Sequence, residues 1–390
     1  MTQPLVAFPL SEEQRRLQEL VRGLADSTFR DRAARWDERE EYPWENIKDL
    51  VQHNLMGMTF PVEYGGRGGG VLEAVLAIEA AARVCGVTGR ILVDSNFGAV
   101  GAIAHYGTEA QKRAFLPLVT RDGDKPAIAI TEPNAGSAAA DMTTAAMRDG
   151  SSWVLNGVKH WITGAGVSRT YVVFCRFDGI AGAPGVGALI VPSDAPGLTV
   201  KRRERAMGMR GIPEGEVVLS DCRVPSENLL VGPGGFSRLM SAYNGQRLGA
   251  SAVALGLAQG ALEAAVAYAG KRKQFGRAIG TFQGLRWMLA DMAMDVESAR
   301  QMIYRTSQNA GTGLPDQHAV AACKVAASEM AIRVTNQALQ VFGAKGYSRD
   351  CPVERMVRDA RMFTIAGGTV QMLRNLVANR LLGRTDRAAD

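Results

Sequence analysis

The chain has 390 residues, 46% hydrophobic and 22% charged, an ordinary globular composition too long for one small core and suited to two or three packed domains. Its 45 basic and 39 acidic side chains give a formal net charge of +6, spread along the sequence with no basic run interleaved with aromatics, which argues against nucleic acid as a partner. Five scattered cysteines without a CxxC pair and four separated histidines argue against a disulfide framework and a zinc site, so no metal is expected.

No stretch approaches the roughly twenty uninterrupted apolar residues of a membrane span, so no membrane partner is expected. The opening "MTQPLVAFPLSEEQRR" lacks the basic-then-apolar pattern of a signal peptide, and the expected location is cytoplasmic. Residues 1–125 read as helical. Ser11 with Gln14, and Thr108 with Gln111, have capping-box spacing, and "VLEAVLAIEAAARVCG" between them carries Ala and Leu at helical intervals. The intervening "EYGGRGGG" is a loop; it does not satisfy GxGxxG and no strand precedes it, so it is no dinucleotide fingerprint.

Residues 126–232 change texture. "AIAIT", "WVLNG", "KHWIT", "TYVVFCRF", "GALIVP", "LTVKRR" and "VVLSDCRV" are short β-branched or aromatic runs punctuated by Gly, Pro, Asn and Asp, the pattern of a small antiparallel β domain. From residue 233 to 390 long helical stretches return, with Ala and Gly on faces where helices can approach closely. Within them "MFTIAGGTVQML" is anomalous. Gly367 and Gly368 interrupt a helical context, each at roughly 1 kcal/mol against Ala, so the stretch is either a break or a place where a side chain is absent for a reason.

The blocks "AITEPNAGSAAADM", "WVLNGVKHWITGAG", "SAYNGQRLGASAVALGLAQGALEAAVAY", "KRKQFGRAIGTFQGLRWMLADMA" and "QVFGAKGY…ERMVRDARMFTIAGGT" resemble, in order, the signature blocks of the flavin-dependent acyl-CoA dehydrogenase family over essentially the whole chain. The resemblance implies an α+β fold: N-terminal helical domain, middle antiparallel β domain and C-terminal four-helix bundle. It also implies an FAD cofactor, an acyl-CoA substrate and a homo-oligomer, usually a homotetramer. Residue by residue it implies that Ile130, Thr131, Gly136 and Ser137 supply donors to the flavin, Ser137 also to the CoA end, and that Trp161, Ile162 and Thr163 lie against the isoalloxazine. Arg272, Phe275, Gln283, Gln340 and Gly343 would reach the FAD of a neighbouring subunit, and Thr369 and Gln371 would touch the flavin on its far side. Tyr243, Asn244 and Arg247 would line the substrate channel, although an arginine so placed could equally pair with a carboxylate.

Dehydrogenation needs a carboxylate near the carbon next to the thioester carbonyl. Most of the family places a Glu immediately before the Gly-Thr of this block, and a minority places it just before the arginine equivalent to Arg247. These positions hold Gly367 and Gln246 here, and neither can act as a base. Arg90, in "VCGVTGRILVDSNFGAVGAI", is the lone basic residue in an apolar helix that lines the acyl pocket in the family. Its planar fork suits a carboxylate, sulfinate or phosphate, so it is assigned to the substrate and, with Gln246, to catalysis. An i,i+4 surface pair with Asp94 is the alternative. Gly367, Gln246 and Arg90 together resemble a desulfinating branch of the family, which releases sulfite from a sulfinate-bearing acyl-CoA without net oxidation. The competing expectations are a dehydrogenase with its base moved to Asp94 or Glu132, and a non-catalytic acyl-CoA- and FAD-binding protein.

Overall fold

The computed structural model describes residues 5–383, with helices on either side of a single large sheet. Ser11 caps α1 (Glu12–Leu24) by accepting from the Gln14 amide while the Gln14 side chain returns to the Ser11 amide, and Thr108 with Gln111 closes the same box ahead of α7 (Glu109–Asp122). Between them run α2 (Arg30–Arg39), α3 (Trp44–Gln52), α4 (Val71–Ala82), α5 (Gly86–Asp94) and α6 (Ala99–Tyr106). α4 is buried on almost every face, which explains why its sequence carries no polar stripe. The apolar run around Arg90 is not one helix. It breaks between α5 and α6 at Gly98, whose φ of +61° favours glycine.

The sheet comprises β1 (Ala127–Ala129), β2 (Ala145–Asp149), β3 (Ser152–Thr163), β4 (Thr170–Phe177), β5 (Val186–Pro192), β6 (Leu198–Arg203), β7 (Glu214–Pro225) and β8 (Leu229–Val231). Its order is β6-β7-β3-β2-β4-β5-β8, with β1 also beside β4. The sheet is mixed, which corrects the antiparallel expectation: β1 and β2 both run parallel to β4, pairing Ala127 with Tyr171 and Ala145 with Arg176. Parallel neighbours need a long crossover, and the segment carrying the β2–β3 hairpin supplies it. The runs "WVLNG" and "KHWIT" join into the single strand β3, whose register against β7 shifts between Leu155 and Gly157 and again between Lys159 and Ile162. The second shift leaves Trp161 at φ +57° and 54% exposed.

The C-terminal region is built on α8 (Phe236–Lys271), α9 (Gln283–Ala310) and α10 (Gln317–Phe342), with a small hairpin of β9 (Lys273–Gln274) and β10 (Arg277–Ala278) between α8 and α9. Two short helices, α11 (Pro352–Arg361) and α12 (Val370–Leu381), close the bundle against α10. α8 is apolar and long enough to cross a membrane, but 78% of its most apolar window is buried within the chain, as befits a core helix. Glycine brings it close to α4. A Cβ on Gly260 would lie 1.9 Å from the carbonyl of Arg83, just past the end of α4.

Candidate active site

Arg90 and Asp94 sit one turn apart on α5, and both are buried, so they are no surface pair. Asp94 is the hub of the cluster. Its Oδ1 accepts from Gln246 Nε2 at 2.6 Å and lies 3.2 Å from an Arg90 terminal nitrogen; its Oδ2 accepts from Lys125 Nζ at 3.0 Å. Three parts of the chain therefore meet on one carboxylate: α5, the junction before β1, and α8. Burial opposes ionisation of Asp94, yet Arg90 and Lys125 beside it hold its pKa below the usual carboxylate value. Because a carboxylate only accepts, the Gln246 amide must turn its NH2 to Asp94. Among the described residues, Gln246 Oε1 and Arg90 Nε then find no hydrogen-bond partner. Arg90, Asp94, Phe97, Thr163 and Gln246 share the lining of one small cleft.

The glycine pair lies on the other side of α8. Residues 246 and 247 are about 100° apart on a helix, so while Gln246 faces α5, Arg247 faces the loop before α12. Arg247 Nε donates to the carbonyl of Gly367 at 3.0 Å, and its NH1 donates to Asn244 Oδ1 at 2.9 Å. Among the described residues no carboxylate pairs with Arg247, which answers the alternative raised by its sequence. Lys324, on α10, donates to the carbonyls of Phe363 and Gly368, both at 2.9 Å. Burial, then Arg247 and Arg90, push its pKa down to about 7. Gly367 and Gly368 have φ of +75° and +93°, conformations that glycine adopts freely. A Cβ on Gly367 would lie 3.4 Å from Lys324 Cε and 3.9 Å from the Tyr243 hydroxyl. The loop of Gly367 and Gly368 is thus gripped through its carbonyls by Arg247 and Lys324.

On the sheet side, Trp161 stacks on His160 with ring centroids 5.2 Å apart. Thr163 Oγ1 donates to the half-buried Glu214 carboxyl at 2.9 Å. Burial pushes the Glu214 pKa up to about 7, against the pull of Arg90 and Thr163. The turn carrying Gly136 and Ser137 is exposed, Thr131 is half-buried, and the carbonyl of Ile130 accepts from Lys159 Nζ at 3.0 Å. These residues suit a flavin: an exposed aromatic face aimed out of the sheet by a bulge, with hydroxyl and amide donors at the rim. Thr369 caps α12 by accepting from the Met372 amide, and Gln371 is exposed beside it.

Arg272, Phe275, Gln283, Gln340 and Gly343 gather elsewhere. They lie exposed at the C-terminal end of α8, where Tyr268 stacks on Phe342 at 4.2 Å, about 39 Å along the helix from Gln246. Phe275 is 92% exposed at φ +52°. Within one chain this group does not meet the Arg90 cleft. Glu132, the other seat considered for a displaced base, is occupied structurally: it accepts from Lys159 Nζ at 2.8 Å and from the amides of Thr143 and Thr144. Although burial works against its charge, Lys159 and those donors hold its pKa down at about 2. Three members of the site escaped the sequence reading. Lys324 carries the signal that exposed Arg90, a lone charge in a small apolar helical stretch, whereas Lys125 and Glu214 stand in polar flanks of strands where nothing local marks them.

Comparison with known proteins agrees along the chain. Residues 11–122, 127–222 and 233–382 match the domains described as "Acyl-CoA dehydrogenase, N-terminal domain", "middle domain" and "C-terminal domain". The chain is 51% identical over 382 residues to the 3-sulfinopropanoyl-CoA desulfinase of Paraburkholderia xenovorans (strain LB400), covering 97% of this chain and 98% of the relative. It is 50% identical over 384 residues to the protein of that name from Advenella mimigardefordensis, covering 96% and 95%. Identity to the short-chain specific acyl-CoA dehydrogenase of Clostridium acetobutylicum is 39% over 375 residues, covering 96% and 99%. Among solved structures, butyryl-CoA dehydrogenase from Megasphaera elsdenii superposes with a TM-score of 0.93 at 34% identity, covering 97% of this chain and 100% of that one. The glutaryl-coenzyme A dehydrogenase glutaryl-CoA complex superposes at 0.92 and 32%, covering 99% of each. The protein belongs to the acyl-CoA dehydrogenase family.

Proposed function

We propose that this protein is an FAD-containing desulfinase that converts 3-sulfinopropionyl-CoA and water to propionyl-CoA and hydrogen sulfite. One observation carries the reading. A buried guanidinium and an unpartnered amide oxygen share a cleft, while positions 246 and 367 carry no carboxylate. The names of relatives at 48–51% identity support it. Bound FAD would supply an electron-accepting ring and a flat wall against Trp161 and Thr163, its phosphates meeting exposed groups such as Arg272 of another copy.

The balance is that of hydrolysis: the C–S electron pair stays with carbon, which takes a proton, and sulfur takes hydroxide. Arg90 grips the sulfinate oxygens and aligns the C–S bond. Asp94 turns Gln246 so that Oε1 accepts a hydrogen from the attacking water and aims its lone pair at sulfur. Arg247 and Lys324 hold the loop of Gly367 and Gly368 in place beside the acyl chain. Asp94 and Glu132 are poor candidates for a displaced base, since both are held as stable anions by several donors. Exposed Phe275, Trp287 and Met294, at 92%, 62% and 53%, support association into a homo-oligomer, for which we favour the tetramer. A CoA thioester as substrate supports a cytoplasmic location. The test is product analysis with 3-sulfinopropionyl-CoA: equal amounts of sulfite and propionyl-CoA are expected, and an unsaturated acyl-CoA as the main product would sink the proposal.

A further inference from the structure

We infer that Lys125 sets the net charge of the Arg90 cleft and thereby its preference for an anionic acyl terminus. The inference rests on the reading of Arg90 as the group that grips that terminus. Left to themselves, Arg90 and Asp94 are four residues apart on one helix and would form a neutral, self-satisfied pair. A neutral pair is a poor receptor for an anion, because the incoming charge must compete with the resident carboxylate. Lys125 changes the count. Its Nζ takes Asp94 Oδ2 at 3.0 Å, while Oδ1 is shared between Gln246 Nε2 at 2.6 Å and Arg90 at 3.2 Å. Two cations then divide one carboxylate, and one positive charge is left over, carried by a guanidinium whose Nε has no hydrogen-bond partner among the described residues.

Packing alone gives no reason for a lysine here. Its side chain is 1% exposed, and taking an ammonium out of water costs several kcal/mol that a methionine of similar volume would avoid. The route to Asp94 is also prepared. Nζ passes beneath the turn after β3, where a Cβ on Gly164 would lie 2.6 Å from it. Gly164 has φ +91°, so the backbone there both favours glycine and leaves the lysine its path. The other charged groups near Arg90 are Glu214, behind Thr163, and the cations Lys324 and Arg247, which hold the loop of Gly367 and Gly368. At about pH 6 the Glu214 carboxyl is mostly protonated, while Lys324 and Arg247 are cationic and the same in every variant compared, so the variants differ only in the charges at positions 125 and 94.

The test is calorimetric binding of two unreactive probes to the FAD-loaded protein at about pH 6. Succinyl-CoA carries a carboxylate where the sulfinate would be, and butyryl-CoA carries a methyl group. The readout is the ratio of their affinities, which cancels damage to the fold or to the CoA-binding arm. Wild type should favour succinyl-CoA, and Lys125→Met should cut the ratio by roughly tenfold, the scale of one charge acting across a partly buried site. Lys125→Arg should keep the ratio. The double variant Lys125→Met/Asp94→Asn again has one positive charge and should restore it, which a merely structural lysine would not allow. If Lys125→Met does not fold, Asp94→Asn alone, with two uncompensated cations, should raise the ratio. An unchanged ratio in Lys125→Met, an unrestored one in the double variant, or an unraised one in Asp94→Asn overturns the role of Lys125. No preference in wild type would instead overturn the Arg90 reading and this inference with it.

Discussion

A glutamate at position 367 asks directly what the glycine removes. Its Cβ would meet Lys324 Cε at 3.4 Å, an ordinary contact, but φ of +75° should cost about 1–2 kcal/mol and lower Tm by a few degrees. We expect Gly367→Glu to gain slow bleaching of the flavin by butyryl-CoA under anaerobic conditions, where wild type shows none. Arg90→Lys keeps the charge and loses the fork, so sulfite release should fall by about tenfold to a hundredfold, the worth of a charge-assisted hydrogen bond; near-normal turnover would remove Arg90 from its assigned role. Glu214 makes a prediction about pH. Its folded pKa of about 7 lies above the ordinary 4.5, so the folded state holds the proton more tightly. That stabilising contribution is complete below the unfolded value and is lost as pH rises through 7, up to about 3 kcal/mol. Glu214→Gln should therefore gain Tm relative to wild type as pH goes from about 5 to about 8, and a constant difference would contradict the burial of that carboxyl. At this scale the sequence singled out Arg90, which the fold buries beside a cleft, and the absence of carboxylates at 246 and 367, because a lone charge or a missing side chain stands out against apolar neighbours. Lys125 and Glu214 stayed hidden, since a charge beside a strand end looks like any solvated flank until the fold buries it.

The elements themselves were legible where local physics decides them. Both capping boxes form as their spacing demands, and α8 is one continuous helix of 36 residues whose middle, from Asn244 to Leu262, is buried on every face. What local pattern cannot carry is strand direction: alternation fixes which face is buried, and the same alternation serves β1 whether β4 runs with it or against it. Nor does it carry the bulge at Lys159/Ile162, which turns Trp161 outward through backbone register rather than through residue choice. Glycines within α8 test the packing account in opposite senses. Gly260→Ala places a Cβ 1.9 Å from the carbonyl of Arg83 and should destabilise by about 1–3 kcal/mol. Gly270→Ala, with open space around it on the same helix, should stabilise by up to about 1 kcal/mol. Equal shifts in thermal melts of the two variants would contradict the close approach of α8 to α4.

Across the whole molecule, the cleft exists only where distant parts of the chain converge. α5 brings Arg90 and Asp94, the junction before β1 brings Lys125, β3 and β7 bring Thr163 and Glu214, and α8 brings Gln246 and, about 100° round the helix, Arg247. On the acyl-CoA dehydrogenase scaffold, positions 246 and 367 carry no carboxylate, and in the reading proposed above this turns the site from oxidation to cleavage. The central claim is that the chemistry is cleavage of a carbon–sulfur bond with no net transfer of electrons to the flavin. It is tested most directly by mixing the purified holoprotein with 3-sulfinopropionyl-CoA under anaerobic conditions and following sulfite and flavin absorbance together. Sulfite accumulating over many turnovers while the flavin stays oxidised is the predicted result; flavin bleaching in step with substrate loss, with no sulfite released, would contradict it.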